Sequence, residues 1–152
     1  MSQAAGEYTI VVGVDGSDAS EKALRWAIDE AKLRNGRIVA VHTWQPPVPP
    51  ADLTPTLSTD YVELLGDVEQ AAQKLVADVV AKVVGDDATV PVEPKLIEGP
   101  AGSTLVEVAS DADLLVIGSR GHGFVGRLIG SVSEHCVNHA LCPVLVYRDP
   151  RR

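Results

Sequence analysis

Short, continuous apolar runs along the chain are each followed by a longer stretch in which apolar and polar positions mix at helical spacing. β-α units produce this succession when a parallel sheet is covered on both sides, because a strand buried on two faces has no polar face to show. The first run, Tyr8 to Val14, is β-branched and uninterrupted, and it ends at Asp15, Gly16 and Ser17. Ser20, Ala23, Leu24, Ala27, Ile28 and Ala31 then recur at i, i+3, i+4, i+7, i+8 and i+11. This predicts a helix from about Asp18 to Arg34, stopped by Asn35 and Gly36. Arg37 to Trp44 reads as the second strand. Pro46, Pro47, Pro49, Pro50 and Pro55 exclude regular structure in the long stretch after it. Tyr61, Leu65, Val68, Ala72, Leu75, Val79 and Val83 predict a long helix to about Val84, closed by Gly85, Asp86 and Asp87.

The third predicted strand, Val90 to Glu98, contains Pro91 and Pro94, which cannot donate to a ladder, so it belongs at a sheet edge. Leu105, Val108 and Ala109 mark a short helix, and Leu114 to Gly118, the most apolar run, reads as a central strand. Ser131 and Glu134 have capping-box spacing and open a last helix, on which Val132, Cys136 and Ala140 share a face. Pro143 to Arg148 is the fifth strand. Strict alternation with right-handed crossovers predicts an α/β fold: a five-stranded parallel sheet of order 3-2-1-4-5 with helices on both faces. In such a sheet a ligand binds beyond the carboxyl ends of the strands, where the winding reverses between strands one and four. Gly13 to Ser17 and Gly118 to Ser133 meet there.

The second of these segments, GSRGHGFVGRLIGSVS, places Gly118, Gly121, Gly123, Gly126 and Gly130 within thirteen positions. Glycines let backbone N–H groups converge on one point, and a following helix start adds its unpaired N–H groups and positive dipole end, so the segment suits a phosphate. Net charge is −8, which disfavours nucleic acid and anionic membrane as partners. Between Asp113 and Glu134, however, there is no acid, while Arg120, His122 and Arg127 are present. The competing reading is a surface loop whose glycines serve only turns. A Walker loop is excluded, because Gly121 to Gly126 is followed by Arg127 and Leu128 instead of Lys and Ser or Thr. Gly121, Gly123 and Gly126, with Asp149 beyond, match a dinucleotide fingerprint only weakly, since that fingerprint belongs to the first β-α turn. Asp15 to Asp18 also reads as turn and capping chemistry leading into the helix.

Other features narrow the classes further. No apolar run approaches the ~20 residues of a membrane span. The first residues lack the pattern of a secretory signal, so a cytoplasmic protein is expected. His135, Cys136, His139 and Cys142 do not converge as four zinc ligands, because Cys136 lies about 100° around the helix from His135 and Cys142 precedes a strand. No nucleophile and base pair stands out, so any hydrolysis of a bound phosphate is expected to be slow. The fifth strand, 143–148, lies last in the order and offers a pairing edge to a second copy.

The opening IVVGVDGS, the EGPAG around Gly99 and the tail GSVSEHCVNHALCPVLVYR together resemble the universal stress protein family over about residues 8–148 of a single domain spanning 1–152. The nucleotide-binding members carry G-x2-G-x9-G-[ST] before the last helix. Gly118, Gly121, Gly130 and Ser131 match, with eight residues, His122 to Ile129, in place of nine. The resemblance implies an adenine nucleotide α-hydrolase-like fold and a stress-linked regulatory protein binding ATP, with Mg or Mn possible. It implies that Gly13, Val14 and Asp15 border the adenosine, with Asp15 near ribose or metal, and that the Val41 backbone meets adenine. Ile117 and Gly118 would line the nucleoside, and Gly121, Gly130, Ser131, Val132 and Ser133 would hold phosphates. A homodimer through the fifth strand is implied as well. The alternatives are a slow ATPase or autophosphorylating enzyme, a cyclic-AMP-binding member, and a scaffold without nucleotide.

Overall fold

The structure is a computed structural model that describes residues 6–49, 59–87, 89–119 and 129–149. Its elements run β1 (Thr9–Gly13), α1 (Asp18–Arg34), β2 (Arg37–Trp44), α2 (Thr59–Val84), β3 (Val92–Glu98), α3 (Ala101–Val108), β4 (Leu114–Gly118), α4 (Ser131–His139) and β5 (Val144–Tyr147). The sheet has the order β3-β2-β1-β4-β5. Its four pairings are parallel, with Gly13 opposite Val41 and Val12 opposite Val116.

Both faces of the sheet are apolar, as the uninterrupted runs require. Side chains alternate along a strand, so Ile10, Val12, Ile38, Ala40 and Val116 pack beneath α1 and α2. Their neighbours Val11, Val39, Val41, Leu115 and Ile117 pack beneath α3 and α4 with Leu105, Ala109 and Cys136. The six residues of the predicted α1 stripe are the six that α1 buries. Asn35 ends that helix in the left-handed conformation, at φ 51°. No described helix is long and apolar enough to cross a membrane.

The differences from the sequence reading have physical causes. α2 buries Ala72, Val76, Val79 and Val83, whereas Tyr61, Leu65 and Val68 are only half-buried. A helix of 26 residues is about 39 Å long, and a strand of eight residues covers about 26 Å, so the amino-terminal part of α2 overshoots the sheet. β3 starts at Val92 instead of Val90, since Pro91 contributes only its carbonyl, which accepts from Ile38 N–H at 2.9 Å. β1 and β5 are each shorter by one residue at both ends. Ser131 does not cap α4. Gly130 is the N-cap, no side chain bonds the helix start, and the expected Ser131–Glu134 capping box is absent.

Candidate functional site

β1 stops where its chain turns away from β2. Val14 N–H still reaches Val41 O at 2.9 Å, and the His42 ring meets the Val14 carbonyl through Nδ1 at 2.8 Å. Gly16 then takes φ 79°, a left-handed conformation suited to glycine, and Ser17 caps α1 by accepting from Ser20 N–H at 3.2 Å. Asp15 Oδ1 accepts from Ser17 N–H at 2.9 Å, and Asp15 N–H donates to Ser20 Oγ at 3.3 Å. The turn-residue reading of Asp15 is therefore realised through Oδ1, and Ser17 performs the capping.

On the other side of the reversal, Ser119 N–H donates to Tyr147 O and Gly130 N–H donates to Ser119 O, each at 2.9 Å. The two ends of the glycine-rich segment are thereby drawn together at the foot of α4. The first helical bond of α4 runs from Glu134 N–H to Gly130 O at 2.9 Å, so the N–H groups of Ser131, Val132 and Ser133 precede any intrahelical acceptor. The Ser133 hydroxyl donates to Gly118 O at 2.8 Å. A hydroxyl has one proton, so Ser133 can offer a ligand its backbone N–H but not a side-chain proton.

A cavity of about 440 Å³ lies between these two ends, within the range of small-molecule sites. It is lined by Gly13, Val14, Asp15, Val41, Ile117, Gly118, Gly130, Ser131, Val132 and Ser133. Those are the site residues expected from the sequence apart from Gly121, which lies outside the described residues. Two glycines keep the walls close. A Cβ on Gly13 would come within 2.9 Å of Leu105 Cδ1, and one on Gly118 within 3.1 Å of the Ala19 backbone. Ser17, in the Gly13–Ser17 segment expected at the reversal, also lines the cavity, as do Ser20, His42, Thr43, Ala101 and Leu105, which the sequence reading did not assign to it. His42 and Thr43 directly follow Val41 at the carboxyl end of β2, a signal that would have included them. Ala101 and Leu105 arrive through packing of α3, which nothing local announces. Among the described lining residues Asp15 and His42 are the titratable ones, and none is Lys or Arg.

The His and Cys residues of α4 lie elsewhere. The His135 and His139 rings stack with centroids 4.2 Å apart, and His139 Nδ1 faces His135 O at 2.9 Å. Cys136 points inward toward Gly102 O at 3.9 Å. Burial, with Cys142 as a lesser influence, pushes its thiol up to about 11. Among the described residues no group of three or more His, Cys, Asp or Glu is placed to hold a metal ion.

Residues 8–148 match the model of the universal stress protein family. A universal stress protein of Mycolicibacterium smegmatis is 35% identical over 150 residues, covering 96% of this chain and 50% of its own length. The chain thus spans about half the length of the curated relatives it matches. Among solved structures, the universal stress protein UspA from Lactobacillus plantarum superposes with a TM-score of 0.75 at 27% identity, covering 93% of this chain and 97% of that one. A universal stress protein in complex with cAMP gives a TM-score of 0.57 at 26% identity, with 93% and 96% covered. With the family model spanning nearly the whole chain and the β1/β4 reversal built as described, the chain belongs to the universal stress protein family.

Proposed function

We propose that the cleft binds an adenine nucleotide, ATP together with a divalent ion, and that the protein acts in the cytoplasm as a stress-response regulator. The observation that carries this reading is that the cavity closed by Gly13 to Asp15 on one side is lined on the other by Ser131, Val132 and Ser133, whose backbone N–H groups have no intrahelical acceptor. A helix start of this kind attracts phosphate through its donors and dipole without any lysine. The apolar part of the same cavity, formed by Val14, Val41, Leu105 and Ile117, suits a purine. The related protein crystallised with cAMP supports an adenine nucleotide in this family.

A metal fits this site only in company with the nucleotide. Asp15 is the one carboxylate among the described lining residues, and Mg²⁺ is commonly held by one or two carboxylates plus phosphate oxygens and water. Asp15 would then hold the ion, and the ion would offset phosphate charge. Gly13, Val14 and Asp15 border the adenosine in this reading, Val41, Ile117 and Gly118 line the nucleoside, and Gly121, Gly130, Ser131, Val132 and Ser133 hold the phosphates. The protein is expected to pair with a second copy through β5.

Calorimetric titration with ATP, AMP and cAMP, with and without Mg²⁺, tests the proposal. Saturable ATP binding strengthened by Mg²⁺ is the expected result. Absence of heat with every nucleotide at millimolar concentration would remove it.

A further inference from the structure

The geometry points to His42 as a specificity-determining residue of this cleft, which takes a hydrogen-bond donor of the nucleoside on its Nε2. The inference rests on the nucleotide-binding reading above and assigns a role to a residue outside the set carried by the glycine motif. Its basis is the hydrogen-bond chemistry of one ring. Nδ1 lies 2.8 Å from the Val14 carbonyl oxygen, and a carbonyl oxygen only accepts. Nδ1 therefore carries the hydrogen, and the neutral ring has its lone pair on Nε2. No described residue bonds Nε2. His42 lines the cavity and its Nδ1 edge is turned to Val14, which leaves the Nε2 edge as the acceptor for a ligand.

Packing fixes the ring in that role. Val14 N–H is bonded to Val41 O, so the Val14 peptide is tied to β2 on both sides, by the Val41 carbonyl and by the His42 ring. β1 leaves the sheet here toward Asp15 and Gly16, and the imidazole supplies the Val14 carbonyl with a donor at that departure. The hydroxyl groups of Ser17 and Ser20 are less suited. Ser20 Oγ donates to Ser17 O, and Ser17 Oγ accepts from Ser20 N–H, so both serve the start of α1. An acceptor fixed on the cavity wall selects ligands that carry a donor opposite it. In an adenine nucleotide the candidates are the exocyclic amine and the ribose hydroxyls. Inosine triphosphate replaces the amine with a carbonyl, and deoxy-ATP lacks the 2′-hydroxyl.

The test compares dissociation constants for ATP, inosine triphosphate and deoxy-ATP in the wild type, His42→Asn and His42→Phe. Asn can place a donor near the Nδ1 position and so keep the tie to Val14, but it has nothing at Nε2. Phe removes both. In the wild type one of the two analogues should bind roughly tenfold more weakly than ATP, and in His42→Asn that preference should vanish with ATP itself weakened by a similar factor. In the intact protein labelled with ¹⁵N-histidine, the Nε2 resonance of His42 should move on ATP addition far more than the Nδ1 resonance. This measurement needs no variant to fold. Wild-type ATP binding with no preference among the three nucleotides, an unaltered His42→Asn, or an unmoved Nε2 resonance would overturn the role of His42 while leaving the nucleotide site standing. No binding of any of the three by the wild type would overturn both.

Discussion

Ser133 on α4 donates its hydroxyl proton to the carbonyl of Gly118 at the end of β4, over 2.8 Å, and so fastens the foot of the helix to the strand across the glycine-rich segment. Ser133 is buried, and its removal leaves that carbonyl without its side-chain donor. Ser133→Ala should cost about 1–2 kcal/mol in urea unfolding. It should also weaken ATP binding modestly, because the α4 N–H groups lose their anchor while remaining present. A Ser133→Ala protein with unchanged stability would show that the fastening contributes nothing.

Asp15→Asn separates two roles that one side chain combines. The amide keeps an oxygen to accept Ser17 N–H, now at 2.9 Å from Asp15 Oδ1, so the turn and the start of α1 should persist in circular dichroism. What disappears is the charge. ATP affinity in excess chelator should change little, and the gain on adding Mg²⁺ should shrink. An undiminished Mg²⁺ response would exclude Asp15 as the metal-holding residue.

The sequence revealed the fold more fully than the details of its site. Strand order was legible because Pro91 and Pro94 mark β3 as an edge and because both faces of β1 and β4 are apolar. The α1 stripe was legible because the residues that helix buries all fall on one face. Ser131 misled because Ser-x-x-Glu spacing identifies a cap only when the serine occupies the N-cap. Gly130, whose N–H donates to Ser119 O, occupies that position with φ −65° and ψ 159°. The place of His42 beside Val41 at the carboxyl end of β2 was legible, but the bond from its ring to the Val14 carbonyl was not, since that depends on where β1 departs from β2. The part of the glycine motif that includes Gly121 lies outside the described residues.

Asp87 closes the connection after α2 and pairs with Lys32 near the end of α1, Nζ to Oδ2 at 2.6 Å, while accepting from Thr89 Oγ1 and N–H at 2.7 and 3.2 Å. The Lys32 ammonium first, then Thr89, holds its carboxyl down to about 2 from 3.8. A carboxyl depressed in the folded state stabilises above its unfolded value, and that contribution is lost as pH falls through about 2. Carbonyl NMR titration should place Asp87 near the lower value. Lys32→Met should move it upward by more than Thr89→Ala does. Equal effects of the two substitutions would contradict the order of causes.

β5 has one neighbour, β4, among the described strands, and its four residues are all half-buried. Pro143 and Tyr147 direct their carbonyls to Leu115 and Ser119 of the β4 side, each at 2.9 Å. In a parallel ladder the bonded residues alternate, so Leu145 also faces β4 while Val144 and Val146 turn their backbone groups outward. Leu141 and Val137, 82% and 52% exposed, lie on the chain just before this strand. If a second copy pairs along this edge, Val146→Pro removes an outward donor and Leu145→Pro an inward one. Sedimentation should find the wild type as a dimer of the 16.0 kDa chain and Val146→Pro as a folded monomer. Leu145→Pro should instead lose stability by about 3 kcal/mol or more, because it breaks the ladder within the subunit. A wild type that sediments as a monomer at every concentration would rule out edge pairing, and a Val146→Pro protein that stays dimeric would place the contact elsewhere.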